Sequence, residues 1–521
     1  MEDRVVVVGA GPAGLMLACE LGLAGVPTVV IERHARPRLE SPGIAINATA
    51  VELLDQRQLL GLIAGESMDM PLAHFAYLAL DCESGRDGHP FSIAVPQATL
   101  ELRLAEHAAK LGVDIRRAQE LAGLEDTGSG VRVHIRSGTG DYSLDARYVA
   151  GCDGVDSQVR KLAGIEFPSE DQPFYGITGD VEVYPGEEMM SLLGASITAG
   201  GNFMLGPVNA DFFLAVAART AGEEVTRPVL MRIATGEFDV TPADRDQPAT
   251  VAELRAQVKR IVGRDLPMGA ATWLSRWRNV TGHAVQYRSG NVFVAGEAAH
   301  VFFPLGGQAL GTAMEDAVNL GWKLAAAIRG WAPQSLLDTY HSERHPVGAR
   351  ACATLGAQVA LLSPMDRVGP LREILAEMIR FSDLNQYLVQ MVAGLDVRYS
   401  MAPKGPLSRA GRALVGRRLA TFPVTTRDGE QTDSGKLLRR GRGLALDLSG
   451  TAAIGLVGAL APWAGRIDVV AAKPAPGVDA AALLLRPDGR VAWAGDSQDG
   501  LNGLITATTM WFGEQDPHQA G

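Results

Sequence analysis

Three glycines carry the first legible chemistry. Gly9, Gly11 and Gly14 follow four consecutive valines in the stretch Val-Val-Val-Val-Gly-Ala-Gly-Pro-Ala-Gly over residues 5–14. In this G-x-G-x-x-G spacing the first glycine permits a tight strand-to-helix turn and the second lets backbone approach a pyrophosphate. The third lets the next helix, expected at 15–23, lie close while its free amides face the anion. A second strand, residues 28–31, leads to Glu32, 23 positions after Gly9 (32 − 9). That is about where a carboxylate accepts hydrogen bonds from a ribose. An ordinary βαβ unit with a glycine turn is the competing reading, and it has little room once strand, glycines and acid are all in register.

A second constellation lies at 291–312. Asn-Val-Phe-Val-Ala-Gly-Glu-Ala-Ala-His reads as a buried strand with Glu297 at its carboxyl end. Pro-Leu-Gly-Gly-Gln-Ala-Leu-Gly-Thr over 304–312 reads as a glycine-rich loop before an apolar helix at 313–328. The helix start would stabilise an anionic ring system through its amides and dipole. Alone, this segment is equally a plain βα connection; two strand-end sites together ask for one extended ligand. Arg33 suits an adenine face or a phosphate. Gln97 stands at a helix start, as a local cap or as a partner of a ring edge. Asp153-Gly154 closes a strand beginning at Tyr148 and is, on spacing alone, a turn. His341 and His345 stand at i and i+4, but the glutamate between them is out of place for H-E-x-x-H. Pro346 is expected to break the helix there, so a solvated helix end is predicted rather than zinc.

The elements that hold these residues follow from periodicity. Helices are predicted over 48–60, with Val51, Leu54, Leu59 and Leu60 inward, over 100–111, and over 371–395. Strands with turns are expected over 71–91, and a hairpin between 113 and 149 turns at Ser137-Gly138-Thr139-Gly140. From 172 to about 285, short apolar runs between Gly, Pro and Asn predict a separate, mostly antiparallel sheet roofing the site, including Phe203-Met204 and Phe212-Phe213. A Pro/Gly/Arg linker over 403–418 precedes strands near 444–448, 467–471 and 481–495, the last turned at Pro487-Asp488-Gly489.

The 521 residues, 47% hydrophobic, suffice for several cores. A net charge of −11 argues against nucleic acid as a partner. Four scattered cysteines without a C-x-x-C fit free thiols in a reducing cytoplasm. No apolar run reaches the roughly 20 residues of a membrane span, and Arg4 and Glu20 interrupt the only stretch resembling a leader.

Taken together, these motifs resemble the class A flavoprotein monooxygenases typified by para-hydroxybenzoate hydroxylase. More narrowly, they resemble the bacterial aromatic-polyketide hydroxylases. The resemblance rests on Gly9/Gly11/Gly14 with Glu32, on Gly-Cys-Asp-Gly-Val-Asp-Ser-Gln-Val-Arg-Lys around Asp153, and on Gly-Glu-Ala-Ala-His with Pro304, Gly306, Gly307 and Gln308. It implies an α/β fold: an FAD-binding Rossmann-like domain (1–171 and 286–402), an inserted mostly antiparallel substrate domain (172–285) and a thioredoxin-like C-terminal domain (403–521). That tail lacks the cysteine pair, since the last cysteine is Cys352, and is expected to be structural or an assembly surface. FAD is implied as cofactor, held by Pro12, Ala13, Glu32, Arg33, Gln97, Leu121, Asp153, Gly296 and Glu297. The loop Pro304, Gly306, Gly307, Gln308, Ala309, Leu310 and Gly311 would run past its ring.

The implied reaction is hydroxylation of a polycyclic aromatic polyketide, using NAD(P)H and O2 through a flavin C4a-hydroperoxide. Phe203, Met204, Phe212 and Pro304 are candidate pocket walls, although for the roof residues ordinary core is the favoured reading. No catalytic acid or base is named, because a phenolic substrate activates itself. Rival readings are a Baeyer-Villiger oxygenase, a non-oxygenating flavin dehydrogenase, and a flavin-binding assembly protein; a homodimer is an option. Three departures stand out against the family pattern: Glu297 where aspartate is usual, Ala309 and Gly311 for a glycine and an asparagine, and Thr49 where an arginine is frequent.

Overall fold

Strand register brings the motifs together. The computed structural model describes residues 3–515 apart from 39, 72, 83–91, 210, 224, 241–246, 402–406, 450–454 and 496–500. The expected strands over 71–91 and the linker over 403–418 therefore lie partly outside the described residues. The first sheet orders Arg288–Ser289, Val292–Val294, Tyr148–Gly151, Val5–Val8, Thr28–Glu32 and Asp114–Arg117. All neighbours are parallel except Arg288–Ser289. Val8 pairs with both Ile31 and Gly151, and Gly151 pairs with Val294. Gly9, Glu32, Asp153 and Glu297 thus leave one carboxyl edge, where open α/β sheets bind ligands. Helices Pro12–Leu23, Gln97–Lys110 and Gln308–Ile328 cover one face. A meander of Gln119–Asp126, Val131–Ser137 and Tyr142–Ala146, with its turn where predicted, covers the other.

The roof sheet orders Gly194–Thr198, Gly201–Pro207, Val229–Phe238, Ser169–Val183, Met268–His283 and His300–Val301, every pair antiparallel. Its last strand is the continuation of the Gly296–Ala298 turn, so one short segment stitches the two sheets together. The run from Phe212 is not a strand: Asp211–Thr220 is a helix, lying with Val251–Val262 on the outer face of this sheet. Its apolar residues follow helical spacing, with Phe212 and Ala215 inward and Phe213 and Leu214 exposed.

Four further expectations change. The helix predicted over 48–60 ends at Gln56. The one over 371–395 is two, Met365–Met378 and Ser382–Ala393. The site helix begins at Gln308, five residues before 313. Pro346 breaks nothing: Asp338–Ala360 is a single helix with Pro346 inside it. Nor is its start a solvated end, because Tyr340, Glu343 and Arg344 are buried.

The tail has a mixed four-stranded sheet, Ile467–Ala471, Gly443–Asp447, Ala482–Leu485, Val491–Gly495. Its core is shared: Trp322, Ala326 and Leu336 of the first domain pack in one cluster with Leu444, Trp463 and Trp511. Among the described residues no helix is long and apolar enough to cross a membrane.

Candidate active site

At the first turn, a Cβ on Gly9 (φ +104°) would fall 2.3 Å from the Cys152 carbonyl oxygen, and one on Gly14 2.0 Å from that of Gly9. Only glycine permits this closure. Over Gly11 nothing lies within 4 Å of a Cβ position, which leaves room for a phosphate group. The Ala10 and His34 N–H groups donate to the two Glu32 oxygens, each at 2.8 Å. A carboxylate held this way keeps lone pairs for ribose hydroxyls. Pro12 and Ala13 open the adjoining helix, and Arg33 is exposed beside Glu32. The Leu121 side chain is buried in the core under the meander, so only its backbone remains for a cofactor.

Asp153 works first as a cap. It accepts from Ser157 Oγ (2.5 Å) and from the Gln158 and Val159 N–H groups (2.7 and 3.1 Å) at the start of Gln158–Leu162. It also stands beside the second constellation: a Cβ on Gly154 would be 3.9 Å from Glu297 Oε2. Glu297 is exposed at the open edge, yet the protein around it desolvates its carboxyl and raises it above the ordinary range, against the pull of His300 and Arg38.

The turn beneath Glu297 is held from behind. Asp316 Oδ2 accepts from the Gly296 N–H (3.0 Å) and meets His300 Nε2 (2.7 Å), while Arg344 Nε donates to Asp316 Oδ1 (2.6 Å). Arg344 also donates to Glu315 (2.8 Å), and Glu315 accepts from Arg490 of the tail (2.7 Å). All five side chains are at most 3% exposed.

One sequence departure in the glycine-rich loop acquires a physical account. Gly307 (φ +69°) caps the helix, and Gln308, buried at its start, has no partner for Nε2 among the described residues. Pro304 is exposed and Ala309 and Leu310 are half-buried beside it. At Gly311 a Cβ would lie 2.2 Å from Asn47 Oδ1. Asn47 caps helix Ala48–Gln56 through Ala50 N–H and donates to Ala393 O, so an amide does occupy this corner, supplied by residue 47 rather than 311.

Gln97 does not act as a cap of its own helix. Its Oε1 accepts from Gly43 N–H (3.2 Å) and its Nε2 donates to Glu101 (2.8 Å), fixing the 41–43 loop. Arg232 fixes the same loop from the roof, donating to the carbonyls of Ser41 and Pro42 while paired with Asp180, on which Trp273 also donates. Sequence reasoning missed this clamp, since a charged residue in a strand normally faces water.

Of the pocket-wall candidates, Phe203 and Phe212 are corrected: both lie in the core between the roof sheet and its outer helices. Strand alternation turns Met204 to the other face, the one carrying Trp277 and Arg232. The apolar surface nearest Pro304 comes instead from Phe303, 5.1 Å from Trp277 and 5.3 Å from Phe174 between ring centroids, with Tyr77, Phe238 and Ile197 in the same cluster. Ala76 and Tyr77 both have positive φ, and the turn is held by Gln358 on the Ala76 N–H and Arg372 on its carbonyl. Two adjacent Phe before Pro304 were the only available signal.

An open space over Gly11, a positioned Glu32 and an orphaned buried donor at Gln308 fit a dinucleotide with a ring system at its far end. Fold and site define a flavin-binding protein of the aromatic-ring hydroxylase class. The FAD binding domain family matches residues 2–354, and the family described as aromatic-ring hydroxylase, C-terminal, matches 412–515. The chain belongs to this family of FAD-binding monooxygenases. It is 44% identical to the dialkyldecalin synthase of Streptomyces rugosporus, over 98% of this chain and 99% of that one. It is 38% identical to the 12-dehydrotetracycline 5-monooxygenase/anhydrotetracycline 6-monooxygenase of Streptomyces rimosus, with the same coverage. Among solved structures, the Diels-Alderase PyrE3 of pyrroindomycin biosynthesis superposes with a TM-score of 0.84 at 43% identity, over 98% of this chain and 100% of that one.

Proposed function

We propose that this protein is an FAD- and NAD(P)H-dependent monooxygenase that hydroxylates a polycyclic aromatic polyketide. The observation that carries the reading is the single carboxyl edge bearing Gly9, Glu32, Asp153 and Glu297 beneath a roof sheet joined to it through His300–Val301. Bound FAD, reduced by NAD(P)H, supplies the oxygen-activating chemistry. The chain's own part is positional. Gly11 and the amides after it take the pyrophosphate, Glu32 the ribose, and Glu297 the ribityl chain. Gly306, Gly307 and the amides at 308–311 support the ring. Met204, Phe303, Trp277, Tyr77 and Pro304 form an apolar wall that excludes water and holds a planar substrate over it. No side chain is assigned as acid or base.

The test is turnover of candidate polycyclic phenols with NADPH under labelled O2, read by mass spectrometry. One labelled oxygen per product with matching NADPH consumption supports hydroxylation; a lactone product would instead favour Baeyer-Villiger insertion. The 44% identity to a dialkyldecalin synthase favours a second reading, in which the same wall folds a linear polyene for redox-neutral ring closure and FAD is a scaffold. Product formed without NADPH or O2 from a polyene, and none from phenols, would select that reading.

A further inference from the structure

On the side of the molecule away from the roof, a cleft of about 580 Å³ opens between the first domain and the tail. Six arginines line it: Arg57, Arg329, Arg439, Arg440, Arg442 and Arg466. The only carboxylate in its wall, Glu20, is taken by Arg57 at 2.6 Å, and burial lowers His107 toward the neutral form. In a chain of net charge −11, this concentration of positive charge is local and unusual.

Four of the arginines have structural work. Arg57 binds the Leu438 and Pro487 carbonyls, Arg329 the Ala24 carbonyl, Arg466 the Phe512 and Glu514 carbonyls, and Arg442 Asp468 and the Ala464 carbonyl. Arg439 and Arg440 are exposed, with no partner among the described residues. Two buried donors are also unmatched: Arg442 Nε and the indole Nε1 of Trp322, a cleft residue only 3% exposed. A buried indole N–H normally finds an acceptor. Trp331 adds a half-buried aromatic surface.

We propose that this cleft binds a phosphate-bearing nucleotide, distinct from the FAD held at the sheet edge. Arginine forks match phosphate oxygens bidentately, the Trp322 N–H is a donor without an acceptor among the described residues, and half-buried Trp331 offers an aromatic surface to a base. The volume lies in the range of small-molecule sites, roughly 300–1,000 Å³, and is too small for a folded partner. Two sources share this chemistry, the 2′-phosphoadenosine half of NADP+ and a carrier nucleotide bearing a 3′-phosphate.

The experiment is calorimetric titration of the FAD-saturated protein with NADP+, NAD+, ADP and adenosine 3′,5′-bisphosphate. At least one should bind saturably at one site per chain, with affinity falling as salt rises. Arg439→Glu with Arg440→Glu should weaken that binding at least tenfold, and Trp322→Phe, which keeps a ring but removes the donor, severalfold, both with FAD content unchanged. Preference for NADP+ over NAD+ assigns the 2′-phosphoadenosine half as the recognised group; preference for the 3′,5′-bisphosphate assigns a carrier nucleotide. No saturable binding of any probe at about 1 mM, or equal affinity in the double arginine variant, overturns the proposal.

Discussion

At the residue scale, the two ends of the site are specified differently. Glu32 is legible because its carboxylate closes the turn and, in the proposed FAD site, also meets the ribose. Glu32→Ala removes acceptors from the Ala10 and His34 N–H groups as well as from the ligand. FAD affinity should drop by about 1–3 kcal/mol, measured by flavin fluorescence titration of the apoprotein, with Glu32→Gln losing less because it keeps one acceptor. Gly311 is the reverse case. Against the family pattern it reads as a lost asparagine, but its Cβ site is 2.2 Å from Asn47 Oδ1 in a buried corner. Gly311→Asn should therefore not restore anything; overpacking should cost about 1–3 kcal/mol of stability. Asn47→Gly in the same chain should recover part of the melting temperature, which a merely silent departure would not allow.

At the scale of elements, the strand-end motifs were readable because glycine spacing and apolar runs determine local backbone, and parallel register then does the assembling. The helix Asp338–Ala360 was misread at Pro346. A mid-helix proline costs about 3 kcal/mol, and the tertiary contacts that outweigh it, Tyr340 on the Val294 carbonyl and Arg344 on Asp316, leave no trace in local sequence. The run at Phe212 was misread because the seven apolar residues over 212–218 fit either period until exposure separates Phe213 and Leu214 from Phe212.

Helix Asp338–Ala360 brings His341 and His345 to His283 at the end of a roof strand, with ring centroids of His345 4.2 Å from His283 and 4.6 Å from His341. Burial, then His345 and His300, lower His283 to about 4 against the pull of Asp316. His341 and His345 are lowered too, chiefly by burial. The unfolded chain then binds more protons between its ordinary imidazole value near 6.5 and about 4, so stability must fall as pH falls through that window. The melting temperature should drop between pH 7 and pH 5, and His283→Gln should flatten that part of the curve. The carboxylates behind the site act elsewhere. Burial alone would raise Glu315 and Glu343, but Arg490, Arg344 and Arg418 around the first and Arg486 and Lys323 around the second bring both down to about 2. Their contribution is intact above about 4.5 and is lost only as pH falls toward 2.

At the scale of the whole molecule, the tail is neither a redox module nor a passive appendage. Its hairpin Leu-Arg-Pro-Asp-Gly-Arg inserts charge into the first domain. Arg486 holds Glu343 and Asp488, Lys323 donates to Glu343, and Arg490 reaches Glu315. From Arg490 the contacts continue through Glu315, Arg344 and Asp316 to the Gly296 N–H and His300, so a tail residue that touches no cofactor-binding residue is four side chains from the turn that carries Glu297. Removing one partner from a buried ion network strands the rest, at a cost of about 3–5 kcal/mol. Arg490→Met keeps volume and removes the charge. It should lower the melting temperature and, at 25 °C where the variant is folded, speed FAD release on dilution by about tenfold, the equivalent of 1.4 kcal/mol transmitted to the turn. Arg490→Lys, which keeps a positive charge beside Glu315, should release FAD at a rate closer to the unaltered one. A variant that melts earlier but releases FAD at the unaltered rate would show that the network only holds the two domains together and does not position the turn.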